Sequence, residues 1–395
     1  WSGSSYNGQP VLGIQNVIPA LKLNPEESKS FEAGGEFNFL KDRVKLDLSY
    51  YDNSSGNQLV QVENAWDRGS RYAFINAGIV TNKGIEANLD ITPVKTSRLT
   101  WNVSVNFSRN RGSVSGFPSD LVTFKYIAAW NGPETHAGNG QPYGEYIGFE
   151  YYKDTKQAFA NTPSMASDFA AMGLDEKNIY GTGKILTSDG MPMSNQLNWS
   201  GTGDLGKSFP YDWTGGIMNT FLYKNFRLSF LFDIRDGGYV VSTTRQTMQL
   251  SGMLPESAGV NQRGGLIRDN SAGNGGYLFE GTDVATGKPN STYVDAQTLF
   301  SNWYFPTTAY LNSATNIKLR ELSIAYNFPS ALVNRIGLSN AVFSLTGRNL
   351  WLIKNGLPGI DTETANLGAA NNGGRFETGS PPNTRSFGFS LTVGL

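Results

Sequence analysis

Cysteine is absent from this 395-residue chain, and histidine occurs once. Those gaps exclude disulfides, thiolate zinc sites, iron–sulfur clusters, cysteine nucleophiles and every multi-histidine metal site. Surplus positive charge is missing too. With 32 Lys+Arg against 33 Asp+Glu, nothing favours neutralising the phosphates of a nucleic acid. Neither nucleic acid nor a cofactor is expected among the partners. Charged residues make up only 16% and hydrophobic ones 39%, below the usual shares of a soluble globular domain. Long apolar runs are also lacking, since LSFLF at 228–232 falls far short of the ~20 residues of a membrane-spanning helix. If this chain crosses a membrane, strands must do it.

What the chain has instead is glycine (46 residues), aromatics (12%) and a recurrent period of two. At 99–108, Leu99, Trp101, Val103, Val105 and Phe107 alternate with Thr100, Asn102, Ser104, Asn106 and Ser108. The same pattern holds at 43–50, 85–92, 226–235 and 386–395, each about as long as a tilted barrel strand. Weaker candidates are 31–39, 57–62, 145–152, 213–223, 317–328 and 341–348. Within 317–328 the apolar set switches from odd numbers (Ile317, Leu319) to even ones (Leu322, Ile324, Tyr326), which predicts a bulge. The alternation aims Asp47, Asn88, Asn102, Asn106, Asp233 and Arg235 at a polar interior, the expected lumen-lining residues.

Short connections are expected at Lys41-Asp42, at Lys224-Asn225 and at 93–98, the last opened by Pro93. The remaining connections, 110–143, 153–212, 237–316 and 349–384, are long and rich in Gly, Asn, Ser and Pro. That asymmetry suits an outer-membrane barrel, with short periplasmic turns and long extracellular loops. A large soluble sandwich also alternates and stays open at this point. The Asn, Ser, Thr and Gly of the polar faces favour the barrel, as do aromatics near strand ends such as Tyr50, Trp101, Trp213 and Tyr223. The loop aromatics Trp130, Tyr180, Trp199, Trp303 and Tyr304 are candidate contacts to a partner protein.

Signals for chemistry are weak. His136 sits in a Gly/Asn loop without a triad partner and reads as a surface histidine. Asp361 and Glu363 in GIDTET could imitate a glycosidase carboxylate pair, but spacing in sequence gives no distance. No catalytic or metal residue is assigned, and an enzyme is not expected.

Six ordered blocks carry a resemblance. LNPEESKSFEAGGEFNFLKDRVKLDLSYYDNSSGNQL (23–59), GIVTNKGIEANLDITPV (78–94) and WTGGIMNTFLYKNFRLSFLFDIRDGG (213–238) lead the series. ATNIKLRELSIAYNFP (314–329), GRNLWLIKNGLPGIDTET (347–364) and TRSFGFSLTVGL (384–395) complete it. Together they resemble the C-terminal half of the SusC-like family of TonB-dependent outer-membrane transporters. The resemblance implies an all-β antiparallel transmembrane β-barrel, here about half of ~22 strands, with long extracellular loops. Residues 1–395 would be its C-terminal part, with the plug domain and N-terminal strands outside this chain. It further implies the bacterial outer membrane and import of an oligosaccharide or peptide. The implied partners are a SusD-like outer-membrane lipoprotein, TonB through the missing N-terminal part, and outer-membrane lipid. A structural or scaffolding subunit of a larger outer-membrane assembly, without transport, is the alternative.

Overall fold

Nine of the alternating segments pair into one antiparallel sheet, because each offers one face to an apolar and one to a polar surrounding. A computed structural model describes residues 2–6, 9–13, 17–18, 23–63, 72–117, 123–128, 134–152, 184–186, 189–194, 203–283, 286–300, 306–364 and 375–395. The sheet strands are β1 (Glu27–Phe39), β2 (Val44–Gly56), β3 (Ile79–Lys95), β4 (Leu99–Ser115) and β5 (Trp213–Tyr223). They continue as β6 (Phe226–Asp236), β7 (Asn316–Asn327), β8 (Asn340–Asn355) and β9 (Ser386–Gly394). Every strand neighbours the next in chain order, so the sheet is a nine-stranded meander and forms part of a barrel wall. Short turns join β1 to β2, β3 to β4 and β5 to β6, and the connection from β7 to β8 at the same end is longer and carries the helical turns Ser330–Val333 and Asn334–Ile336. The long connections gather at the other end.

The turns owe their tightness to backbone few side chains tolerate. Leu40, Lys41 and Asp42 all take positive φ, as does Lys224 between Tyr223 and Phe226. The 93–98 expectation needs correction. Strand β3 runs through Pro93 to Lys95, and the ladder to β4 shifts register between Ile91 and Val94, so proline occupies a bulge where no amide hydrogen is needed. The turn itself is shorter, with the Thr96 amide donating to the Leu99 carbonyl at 2.9 Å. The bulge expected in 317–328 is present. Leu231 faces Glu321 while Phe232 faces Leu319, leaving Arg320 extra.

Two of the weaker candidates lie outside this sheet. Leu59–Glu63 pairs with Tyr72–Asn76 in a small sheet, and only Glu145–Gly148 of 145–152 is strand, paired with Glu134–Gly138 and Gly203–Ser208. The long connections are not structureless either. The one after β6 carries helix α1 (Thr243–Leu250) and a compact core of Ile267, Phe279, Val294, Leu299 and Phe300.

On the apolar face, aromatics form belts. Near the short turns Trp101 stacks on Phe221 at 5.4 Å, Phe226 meets Tyr326 at 4.7 Å, and Tyr326 meets Phe328 at 5.1 Å. Toward the long connections Phe107 stacks on Trp213 at 5.8 Å. Along β5, the ten steps from Trp213 to Tyr223 cover ~25 Å of bilayer at ~3.3 Å per residue and a ~40° tilt, the height of an outer-membrane apolar band. On the same face, large side chains such as Leu345, Phe389 and Leu391 are exposed. Spin labels at Val103 and Asn102 test the assignment. A lipid-soluble quencher should reach Val103 better than Asn102, and the opposite order would put the register off by one residue.

Candidate functional site

The face opposite the aromatic belts is built from directly paired polar residues. Reading across the ladders, Asp47 pairs with Asn88, Asn88 with Asn106, Asn106 with Gly216, Gly216 with Asp233 and Asp233 with Lys318. This row crosses six adjacent strands, a stripe ~24 Å wide at ~4.8 Å per strand. Asn102 pairs with Thr220 on the same face and accepts a hydrogen bond from the Thr92 hydroxyl at 3.0 Å. Arg235, paired with Thr214, lies on it two residues above Asp233. All six residues expected at the lumen therefore share one face. The contact candidates Trp130, Tyr180, Trp199, Trp303 and Tyr304 lie outside the described residues.

One glycine on this face is there for space. A Cβ on Gly84 would stand 2.3 Å from the phenol ring of Tyr51, its partner across the ladder, so the ring lies flat over the strand only because position 84 has no side chain.

At one margin of the stripe the polar residues condense into an ion-pair network. The Lys318 ammonium donates to Asp361 Oδ1 and Oδ2 at 2.7 and 2.6 Å, and to Glu363 Oε2 at 2.5 Å. Arg320 Nε donates to Asp233 Oδ2 at 3.0 Å, and its Nη1 donates to Glu363 Oε2 and Asn349 Oδ1, each at 3.0 Å. Arg235 Nη2 lies 2.8 Å from Glu363 Oε1. Three cations thus meet three carboxylates, and Lys318 is only 3% exposed. The bulge explains the geometry, because two consecutive side chains, Arg320 and Glu321, reach the same face, and Glu321 accepts from Arg348 Nε at 3.1 Å. A polar cavity of about 620 Å³ opens over Asp233, Arg235, Arg320, Glu321, Arg348 and Glu363.

Because Asp361 and Glu363 belong to the connection between β8 and β9, the network straps that connection onto the wall. It also fixes the charge state of Glu363. Burial raises the Glu363 carboxyl, but hydrogen bonds from Arg320 and Lys318 and the charge of Arg235 outweigh it and hold the group down at about 2. Such a carboxylate is ionised at neutral pH and has no proton to give. The sign of its pH effect follows. A carboxyl depressed on folding adds stability above its unfolded value of about 4.5, and that stability is lost as pH falls toward 2. Pepsin should therefore cut the 356–385 connection progressively faster as pH drops from 5 to 2. A cleavage rate that follows only pepsin's own pH profile on an unfolded control would refute the strap.

His136 is not the surface histidine expected from its loop. It lies in the strand Glu134–Gly138, half-buried, with Nε2 2.7 Å from Glu134 Oε2. Sequence reading also missed Lys318 and Arg320. Their alternation with apolar neighbours was visible, but their partners are 29 to 87 residues away along the chain.

Residues 2–171 match the family model described as TonB dependent receptor-like, β-barrel. TonB-dependent receptor P26 of Formosa agariphila is 25% identical over 401 residues, covering 99% of this chain and 37% of that protein. The TonB-dependent receptor SusC of Bacteroides thetaiotaomicron is 22% identical over 270 residues, covering 65% of this chain and 24% of that protein. Among solved structures, the RagAB peptide transporter superposes with a TM-score of 0.63 at 18% identity, over 99% of this chain and 38% of that one. The chain spans little more than a third of the length of the relatives it matches along its whole length. These likenesses bear out the resemblance read from the six blocks, the partial antiparallel barrel, and an outer-membrane location.

Proposed function

We propose that this chain, a segment of a TonB-dependent receptor-like β-barrel of the outer membrane, forms part of the lumen wall of an energised importer for an extended polar polymer. The observation that carries the reading is the in-register stripe from Asp47 to Lys318, with Asn102 and Arg235 on the same face. A wall of amides, hydroxyls and self-neutralised charges offers many weak hydrogen bonds and little net field. That chemistry lets an uncharged polar chain slide rather than stick. An oligosaccharide and a peptide both answer to it, and RagAB, a peptide transporter, is a structural neighbour.

In this reading the plug domain and the missing strands lie outside residues 1–395, TonB acts through that missing part, and a SusD-like lipoprotein covers the long-connection end. Both sheet edges support the need for further strands. Neither β1 nor β9 has a second neighbour among the described residues, and hydrocarbon does not tolerate unpaired edges. Trp130, Tyr180, Trp199, Trp303 and Tyr304 are our candidates for contact with the lipoprotein.

The test is uptake in a strain lacking the gene. Loss of growth on one class of polymer, reproduced by removing TonB, is the expected result. Normal growth on every glycan and peptide, together with a general outer-membrane assembly defect, would replace import with the scaffolding role.

A further inference from the structure

The short-turn end of the sheet carries charge of one sign. Across the connections 40–43, 96–98, 224–225 and 328–339 stand five cations, Lys41, Arg43, Arg98, Lys224 and Arg335, against a single carboxylate, Asp42. All five are exposed, and none forms an ion pair among the described residues. Toward the other end the cations are matched. Lys83 lies 2.8 Å from Asp52, Arg111 lies 2.6 Å from Asp212, and Arg235, Lys318 and Arg320 share three carboxylates.

Solvated lysines and arginines are ordinary on a soluble surface, but these border a lipid-facing belt. The Lys224 ammonium lies 5.5 Å from the ring centroid of Tyr223, and Phe226, Tyr326 and Phe328 continue the belt beside it. Belts of this kind sit at headgroup level, so a cation resting on one lies in the phosphate layer. Leu40 and Ile336, each 72% exposed, stand among the same charges. A bilayer boundary takes both kinds of side chain, the apolar one toward the acyl chains and the cationic one at the headgroups.

Neighbouring turns are also bonded to one another. The Arg43 carbonyl accepts from the Thr92 amide at 2.8 Å and the Arg98 carbonyl from the Lys224 amide at 3.1 Å. Asn225 and Asn327 exchange two hydrogen bonds, at 2.7 and 2.8 Å. The cations therefore stand on a connected rim rather than on independent loops, which lowers the ordering cost of binding.

We propose that this rim binds anionic phospholipid of the periplasmic leaflet, with its ammonium and guanidinium groups on the phosphates and with Leu40 and Ile336 among the acyl chains. Each Lys or Arg near an anionic lipid surface adds attraction, and a guanidinium matches phosphate with two hydrogen bonds. The inference rests on the barrel and on the short turns facing the periplasm, not on import.

A quenching lipid tests it position by position. The full-length protein containing this chain, freed of other cysteines, is placed in phosphatidylcholine vesicles doped with brominated phosphatidylglycerol or brominated phosphatidylcholine. A fluorophore on Ile324→Cys reports contact near the rim, and one on Ile85→Cys reports from the same lipid-facing side toward the long connections. Phosphatidylglycerol should associate at position 324 roughly three- to tenfold more strongly than phosphatidylcholine, with no preference at position 85. Lys41→Gln, Arg98→Gln, Lys224→Gln and Arg335→Gln together should abolish that preference. Lys95→Gln with Arg227→Gln, the same charge at the same end but on the polar face, should leave it unchanged. Heat-modifiable migration shows that each variant forms its barrel, and if the fourfold variant does not, the pairs Lys41 with Arg98 and Lys224 with Arg335, neutralised separately, should each lower the preference at least about twofold. Equal association of the two lipids at position 324, the same preference at both positions, or a preference that survives neutralisation of the rim would each overturn the proposal. Loss of preference only with Lys95 and Arg227 would overturn it in favour of a partner inside the lumen. Retention on peptidoglycan sacculi that vanishes with the rim cations, without any lipid preference, would overturn it in favour of the cell wall. An intact preference in a protein with no energised uptake would leave the rim standing and remove the import reading alone.

Discussion

Replacing Lys318 with methionine in the full-length protein is expected to cost about 3–5 kcal/mol of stability. The ammonium is held by Asp361 and Glu363, and both carboxylates sit within a largely buried network. Methionine restores the volume but leaves the two anions short of a countercharge in a poorly solvated place, and that loss dominates. Arg348→Ala is the contrast. Its bridge to Glu321 is the solvated kind, with the arginine side chain 66% exposed, so its loss should cost no more than about 1 kcal/mol. Urea unfolding in micelles, followed by tryptophan fluorescence, measures both. Equal effects would mean that solvent reaches Lys318 freely. The double variant Lys318→Met with Glu363→Gln should recover part of the loss, because it removes the orphaned charge as well.

The second large effect is a difference between consecutive residues. Val105 lies in the row Leu46, Leu89, Val105, Ile217, Phe232 on the aromatic-belted face, and Asn106 lies in the adjacent polar row. Arginine at position 105 should destabilise by about 2–4 kcal/mol near mid-bilayer. Arginine at position 106 should change stability by about 0.5 kcal/mol or less, as for a surface replacement. Both substitutions add the same side chain at nearly the same depth, so helix or strand propensity cancels between them. Comparable losses in the two variants, measured by reversible unfolding in lipid vesicles, would show that the two faces do not meet different solvents.

Period two makes most of the sheet legible in the sequence, because residues such as Leu99 to Ser108 record two surroundings in one strand. It worked even for the irregular strand β7, where the switch from Leu319 to Leu322 marked the bulge. It gave only part of strand β8, which runs on to Asn355, because Asn349 takes positive φ and the ladder shifts around it. The six polar-face residues follow from the same rule, since a strand that buries one face of its alternation must present the other. What alternation cannot report is contact between residues far apart in sequence. Asp361 and Glu363 looked like an isolated acidic pair until the fold carried them to Lys318 and Arg320. His136 went astray for a similar reason, because the glycines around it suggested an open loop while Glu134 and the neighbouring strand enclose it.

Arg320 itself is a passenger on its strand. On the β6 side, Glu321 and Leu319 already find adjacent partners in Leu231 and Phe232, so the ladder there closes over the arginine without using it. Deleting this one residue would leave Leu319 beside Glu321 and make the alternation regular, with Lys318 still pointing the same way. A strand normally places one side chain on a given face about every 7 Å, and here it places two in succession. Structure and charge can therefore be edited separately at this point. A chain lacking Arg320 should keep the β6–β7 pairing while Asp233 and Glu363 lose the guanidinium that bridges them.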